Sequence, residues 1–265
     1  MLFKGAMGFA TSTLVLLFAG CSSHSSVPSV HASGPTGVKN VLLVHGAWAD
    51  GSSWTQVIAN LSADGYNVTA VQLPLTSLAD DVAVLQRALA RETAKTILVG
   101  HSYGGVVITQ AGNDPKVAGL VYVAAYAPDN GESAQSLNGT VPATPIMNDL
   151  MLDSADFLTL SNSGVATDFA QDLTTAQQIT IAATQGPISA PNGLGATATE
   201  TAWRSRPSWY VVSSNDRVIS PALETSMAKR MNATTITLQS GHLAMLSHPS
   251  EVTNLIETAA TSLTP

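Results

Sequence analysis

Ser102 stands in Gly100-His101-Ser102-Tyr103-Gly104, a spacing that can turn a hydroxyl into a nucleophile. The apolar run Thr96–Val99 before it reads as a buried strand, and Val106–Ala111 after it reads as a helix. A turn this tight forces strained backbone angles on the residue at its apex, and side chains two positions to either side would collide. Gly100 and Gly104 remove those side chains. Ser102 then projects from the end of the strand, over a helix N-terminus whose free N–H groups can face a developing negative charge. Alone, the pentapeptide also fits an ordinary polar turn; the strand before it and the helix after it give it chemical meaning.

A serine hydroxyl is a weak nucleophile at neutral pH, so it needs a base, and the base needs an orienting acid. The chain has six histidines. His24 and His31 fall in the N-terminal stretch, and His45 and His101 adjoin the motifs as scaffold. That leaves His242, in a Gly-His loop after the last strand, and His248, in Ser-His-Pro at a helix start where capping or packing accounts for it. For the acid, Asp216 and Asp129 each follow a strand.

These residues need a frame. Asn40–Val44 is a strand pattern; Trp54, Val57, Ile58 and Leu61 have helical spacing that ends at Gly65; Tyr66–Pro74 is the next strand. Leu78–Arg91 reads as a helix with Val82, Leu85 and Leu89 on one face, and Asp80 and Asp81 sit in its first turn, where the helix dipole accounts for them better than catalysis does. The strand and helix around Ser102 follow, then a strand over Lys116–Tyr126. Strands alternating with helices across short crossovers argue for a parallel sheet covered on both faces. From about 129 to 205 the composition shifts to Ser, Thr, Asn, Gln, Gly and Pro, with short helical patterns at Ala166–Leu173 and Ala176–Ala183. Regular structure resumes with a strand at Ser208–Ser214, a helix at Pro221–Met231, a strand at Ala233–Leu238 and a closing amphipathic helix at Val252–Leu263. The count from Asn40 is six strands.

A chain of 265 residues, 45% hydrophobic and 11% charged, can bury one large core with an insertion. A net charge of −7 without a basic patch argues against nucleic acid as a partner. No metal-ligand cluster stands out. Residues 1–20 have the form of an export signal: Lys4, then an apolar stretch from Ala10 to Gly20 too short to span a bilayer comfortably. Phe18-Ala19-Gly20-Cys21 resembles a bacterial lipobox, with Phe18 where Leu is usual. On that reading Cys21 is lipidated after cleavage, and the protein is exported and either periplasmic or anchored to the membrane by its lipid; a plain secreted protein with an incidental Cys21 is the alternative. Cys21 is the single cysteine, so no intramolecular disulfide can form. Residues 21–37, rich in Ser, Pro and Gly, read as a flexible tether to a domain at 38–265.

The strand ending in His45-Gly46, the Gly-x-Ser-x-Gly elbow and the order Ser102, Asp216, His242 together resemble the α/β-hydrolase superfamily. The resemblance implies an α/β fold: a mostly parallel, doubly wound sheet of about six strands, with a small helical cap inserted after the fourth, at about 129–190. The antiparallel N-terminal pair of the full family fold has no candidate here. The resemblance also makes His242 the base and Asp216 the acid, keeps Asp129 as the runner-up, and assigns the backbone N–H groups of Ala47 and Tyr103 to the oxyanion. It calls for no cofactor or metal. The run His45–Trp54, the elbow and Trp209-Tyr210-Val211-Val212 are similar to a group of small bacterial members in the broad neighbourhood of plant methylesterases and hydroxynitrile lyases. The expected activity is hydrolysis of carboxylic esters of small to medium substrates. The same triad could serve a lyase, a cofactor-free haloperoxidase or a C–C hydrolase, or the fold could be a non-catalytic binding protein. The near-absence of Lys and Arg from 129–200 weighs against a cyanide-releasing lyase. Substrate contacts should come from the cap, where Met147, Met151, Phe157 and Phe169 fit either that role or the cap's own core.

Overall fold

The computed structural model describes residues 36–265. The export signal, Cys21 and all but the end of the tether lie outside the described residues. Six strands, β1 (Asn40–Val44), β2 (Asn67–Val71), β3 (Thr96–Ser102), β4 (Val117–Ala125), β8 (Ser208–Ser213) and β9 (Thr234–Leu238), form one parallel sheet in the order β2-β1-β3-β4-β8-β9. The inner strands β1, β3 and β8 are buried at every position, β4 at all but one. That is why their sequences are continuous apolar runs rather than alternating ones. β9, at the sheet edge, keeps Thr234, Thr235 and Thr237 among its less buried positions.

The helices are α1 (Thr55–Ala63), α2 (Leu78–Arg91), α3 (Gly104–Ala111), α4 (Ala134–Asn138), the single turn α5 (Asn162–Gly164), α6 (Thr175–Thr184), α7 (Pro221–Arg230), α8 (Ala244–Ser247) and α9 (Pro249–Ser262). α2 begins where its sequence says it should: the Ser77 hydroxyl accepts from Asp80 N at 3.1 Å, a cap of the usual kind. From β1 the chain runs outward to β2, then crosses back to place β3 on the other side of β1. Such a reversal opens a crevice at the carboxyl ends of the two neighbouring strands. Ser102 closes β3, and Ala47 lies three residues past the end of β1, so both lie at that crevice.

The insertion between β4 and β8 is more than the expected helices. It carries a small antiparallel sheet, β5 (Leu150–Leu152), β6 (Phe157–Leu160) and β7 (Ile188–Ser189), beside α4, α5 and α6. The pattern at Ala176–Ala183 forms α6 as expected. The one at Ala166–Leu173 does not: a π-turn covers Val165–Phe169, and the chain leaves the helical path at Ala170. The three strands are too short to leave a period-two pattern in the sequence, and β5 is largely exposed besides.

Candidate active site

Ser102 has φ +52°, the left-handed region that costs a non-glycine residue about 1–3 kcal/mol. Packing holds it there. A Cβ on Gly104 would lie 2.6 Å from the Val44 carbonyl oxygen, and one on Gly46 would lie 2.6 Å from the Ser102 Cβ. The β1 loop and the elbow therefore touch only because both positions are glycine. The sequence points to Gly104; it is the close approach of β1 that reveals Gly46.

Asp216 and His242 come together from the loops after β8 and β9. Their Oδ2 and Nδ1 are 2.6 Å apart, and both side chains are fully buried. The other carboxylate oxygen of Asp216 accepts from Val218 N at 2.7 Å and Ile219 N at 3.0 Å. The carboxylate is thus fixed on three sides and can hold the imidazole with its proton on Nδ1. His242 Nε2 is buried and has no hydrogen-bond partner, so it is not bonded to Ser102 Oγ in this structure. His101, next to Ser102, ties the two loops together: its Nε2 donates to the His242 carbonyl at 3.0 Å and its ring lies 4.6 Å from the His242 ring. Burial and the neighbouring His242 hold His101 well below the usual imidazole range, so it stays neutral.

The remaining candidates have scaffold roles. His45 donates from Nδ1 to the Gly46 carbonyl and accepts from Leu73 N at Nε2, and burial pushes it down, consistent with a neutral ring that shapes the loop. His248 pairs with the Ser247 hydroxyl. Asp129 is not beside His242; it pairs with Arg204, whose guanidinium holds it below its ordinary value. Among the described residues, no acceptor is bonded to the backbone N–H of Ala47 or Tyr103, and no three His, Cys, Asp or Glu side chains gather as a metal site would require.

Asp80 and Asp81 divide. Asp80 is exposed and bonds the hydroxyls of Thr76 and Ser77 at the helix start. Asp81 is fully buried, accepting from Leu75 N at 2.8 Å and from the Tyr103 hydroxyl at 2.8 Å. A dipole role therefore does not describe Asp81, which braces the elbow through Tyr103. Helical spacing carried the signal, since Leu78, Asp81, Leu85 and Leu89 share the buried face. Burial pushes the Asp81 carboxyl up to about 6, with its two donors acting against the rise. Because the folded value lies above the unfolded one, the folded chain keeps a proton that the unfolded chain has lost between about pH 4 and 6. Its contribution to stability is present below that window and is lost as pH rises through it. Urea denaturation at pH 4.5 and 7.0 should show wild type losing on the order of 2 kcal/mol more than Asp81→Asn over this interval. Equal pH slopes would contradict the assignment.

The sequence missed Glu224 and, in the insertion, the bracing role of a segment from which it singled out only Phe169. Glu224 on α7 is fully buried and accepts from Ser213 N at 2.9 Å; burial and the charge of Asp216 push it well up, so it keeps its proton. In the insertion, Phe169 packs on His242 with ring centroids 5.4 Å apart, and Asp168 pairs with Arg217 at 2.6 Å. Gln171 donates to the Asn215 carbonyl and Asp172 accepts from Gly241 N. One short cap segment thus braces both loops that carry Asp216 and His242.

Ser102 opens into a cavity of about 550 Å³ bounded by Ala47 and Trp48 from the loop after β1 and by the cap. Its apolar wall includes Ile146, Met147, Leu150, Leu158, Leu194 and Val218, and no Asp, Glu, Lys, Arg or His lines it. Of the four large cap side chains that the sequence singles out, only Met147 faces this cavity; Met151 is exposed and Phe169 is buried elsewhere. Tyr126 and Asn138 give the chamber its polar handle, hydrogen-bonded to each other at 2.9 Å.

A model of the alpha/beta hydrolase family matches residues 41–255. Among curated proteins, a carbendazim-hydrolyzing esterase of Nocardioides sp. (strain SG-4G) is 37% identical over 112 residues, covering 37% of this chain and 46% of that protein. An alpha/beta hydrolase of Aspergillus novofumigatus is 26% identical over 254 residues, covering 83% of this chain and 96% of its own. Methylesterase 7 of Arabidopsis thaliana is 37% identical over 108 residues, 34% of this chain and 41% of that protein. The match thus spans less than half the length of the first and third of these relatives. A solved pyrethroid hydrolase of Sphingobium faniae JZ-2 shares the fold with a TM-score of 0.73 at 23% identity, over 84% of this chain and 97% of its own. The family match extends from within β1 to within α9, across the elbow, the insertion and both loops that supply Asp216 and His242. The chain belongs to the alpha/beta hydrolase family.

Proposed function

We propose that this protein is a serine hydrolase that cleaves uncharged carboxylic esters of small to medium size through an acyl-enzyme. The observation that carries the reading is the hydrogen-bonded Asp216–His242 pair, set beside a strained serine that opens into a charge-free chamber. Ser102 Oγ attacks the ester carbonyl as its proton passes to His242 Nε2, and the Ala47 and Tyr103 N–H groups bear the oxyanion. The C–O bond to the alcohol then breaks, and His242 returns the proton to the departing oxygen. Water, giving its proton to the same imidazole, attacks the acyl carbon and releases the acid with Ser102 restored. The Ser102–His242 bond closes in the substrate complex, as catalytic hydrogen bonds often do. The esterase and methylesterase names of the relatives agree with this chemistry.

The chamber also sets the substrate class. An anionic group carried into it would find no cation, and an unpaired buried charge costs several kcal/mol. Against p-nitrophenyl esters from acetate to decanoate, kcat/KM for the neutral butyrate should exceed that for the mono-ester of succinate by about 100-fold or more. Equal rates on the two would overturn the neutral-substrate reading. No turnover of any member would overturn the esterase.

A further inference from the structure

His242 itself lines neither the main chamber nor the smaller cleft of about 280 Å³ between the Ala49–Ser53 loop and α6, but the residues beside its imidazole, Phe169 and Leu243, line that cleft and not the chamber. Trp48 borders both spaces. It meets Phe169 edge to face at 5.9 Å, and the two rings form a wall between the chamber that holds Ser102 and the cleft on the side of His242. Both spaces are mostly apolar with a polar minority: Asp50, Ser52, Gln177 and Thr180 in the cleft, Tyr126, Gln135, Asn138 and Thr144 in the chamber.

An ester held at Ser102 must place its two halves in different directions. The acyl part fits the apolar chamber. The alcohol oxygen must lie near His242 Nε2 to receive its proton, and that nitrogen is buried without a partner beneath Phe169. Trp48 is the fixed half of the wall: its indole N–H donates to the Leu158 carbonyl of β6 at 2.9 Å. Phe169 has no polar tether of its own. The segment is held on both sides of it, by Asp168 on Arg217 and by Gln178 on the Ala170 carbonyl, and the ring is fully buried between Trp48 and His242, so opening requires the Phe169 side chain to rotate out of that packing. It also ends a π-turn, a local irregularity frequent at functional sites.

We infer that the cleft between the Ala49–Ser53 loop and α6 is the subsite for the departing alcohol, joined to the acyl chamber when the Phe169 ring turns away from Trp48. The inference rests on the serine-esterase reading and deepens it. The alcohol leaves through this cleft, and the water that releases the acyl group arrives by the same route, on the side of the imidazole that activates it.

Gln177, Thr180, Ile181 and Thr184 present one face of α6 to the cleft. Ile181→Trp and Thr180→Trp fill it from two positions outside the catalytic groups. Butyrate esters of methanol, butanol and 2-naphthol probe the alcohol side, and p-nitrophenyl esters from acetate to octanoate probe the acyl side. Both tryptophan variants should lower kcat/KM for 2-naphthyl butyrate about tenfold relative to wild type. Methyl butyrate should stay within about twofold, and the acyl-length optimum should not move. Phe169→Ala should raise the 2-naphthyl to methyl ratio about tenfold. An unchanged alcohol series in both tryptophan variants, or a shifted acyl optimum, would overturn the subsite while leaving the esterase reading in place. Wild-type turnover that survives Ser102→Ala would overturn both.

Discussion

Ser102→Ala should lower kcat/KM for p-nitrophenyl butyrate by about 10⁵-fold. The substitution removes one oxygen from a position whose backbone is fixed by its surroundings, with Gly104 under the β1 carbonyls and Gly46 against the Ser102 Cβ. Alanine has the same Cβ and tolerates φ +52° no worse than serine does, so the urea midpoint should hold. What disappears is the only hydroxyl at the apex of the elbow, in the chamber that the substrate enters. A variant that keeps wild-type stability and loses its rate separates chemistry from folding. A fall of tenfold or less would mean that the ester is attacked from elsewhere.

Asp216→Asn is the second large effect, a loss of about 10⁴-fold in kcat. The asparagine oxygen can still accept from Val218 N and Ile219 N, so the loop after β8 should keep its shape. Its amide then faces His242 Nδ1 and donates where the carboxylate accepted. The ring is driven to carry its proton on Nε2, the nitrogen that must receive the proton of Ser102. Asp129→Asn is the matching control. Asp129 pairs with Arg204 and has no contact with His242, so its loss should leave kcat within about twofold. Reversed outcomes for the two variants would transfer the acid role to Asp129.

Much of this site can be read from sequence because each catalytic candidate stands at or just past the end of a strand that announces itself. β1, β3 and β8 are unbroken buried segments, and each leads directly to one of the site residues Ala47, Ser102 or Asp216. α2 was legible to the residue, since Ser77 caps it and Leu78, Leu85 and Leu89 repeat at helical spacing. The cap was legible only as an insertion. β5, β6 and β7 hold two to four residues each, and β5 is largely exposed while β6 is mostly half-buried, so neither length nor alternation marks them. Contacts that join distant segments left no local trace either. Asp172 on Gly241 N, Phe169 on His242 and Tyr103 on Asp81 are matters of tertiary packing. Of these, only Asp81 could have been found, as an acid on the apolar face of its helix.

The proposed acyl-enzyme requires a covalent bond from Ser102 to the acyl group. Mixing the protein with excess p-nitrophenyl butyrate, quenching in acid within the steady state and mapping peptides by mass spectrometry tests it directly. A butyryl group is expected on the peptide that contains Ser102, absent from Ser102→Ala and accumulated when His242→Ala is acylated slowly but cannot be deacylated. A butyryl group on another residue that persists in Ser102→Ala, with turnover intact, would contradict it.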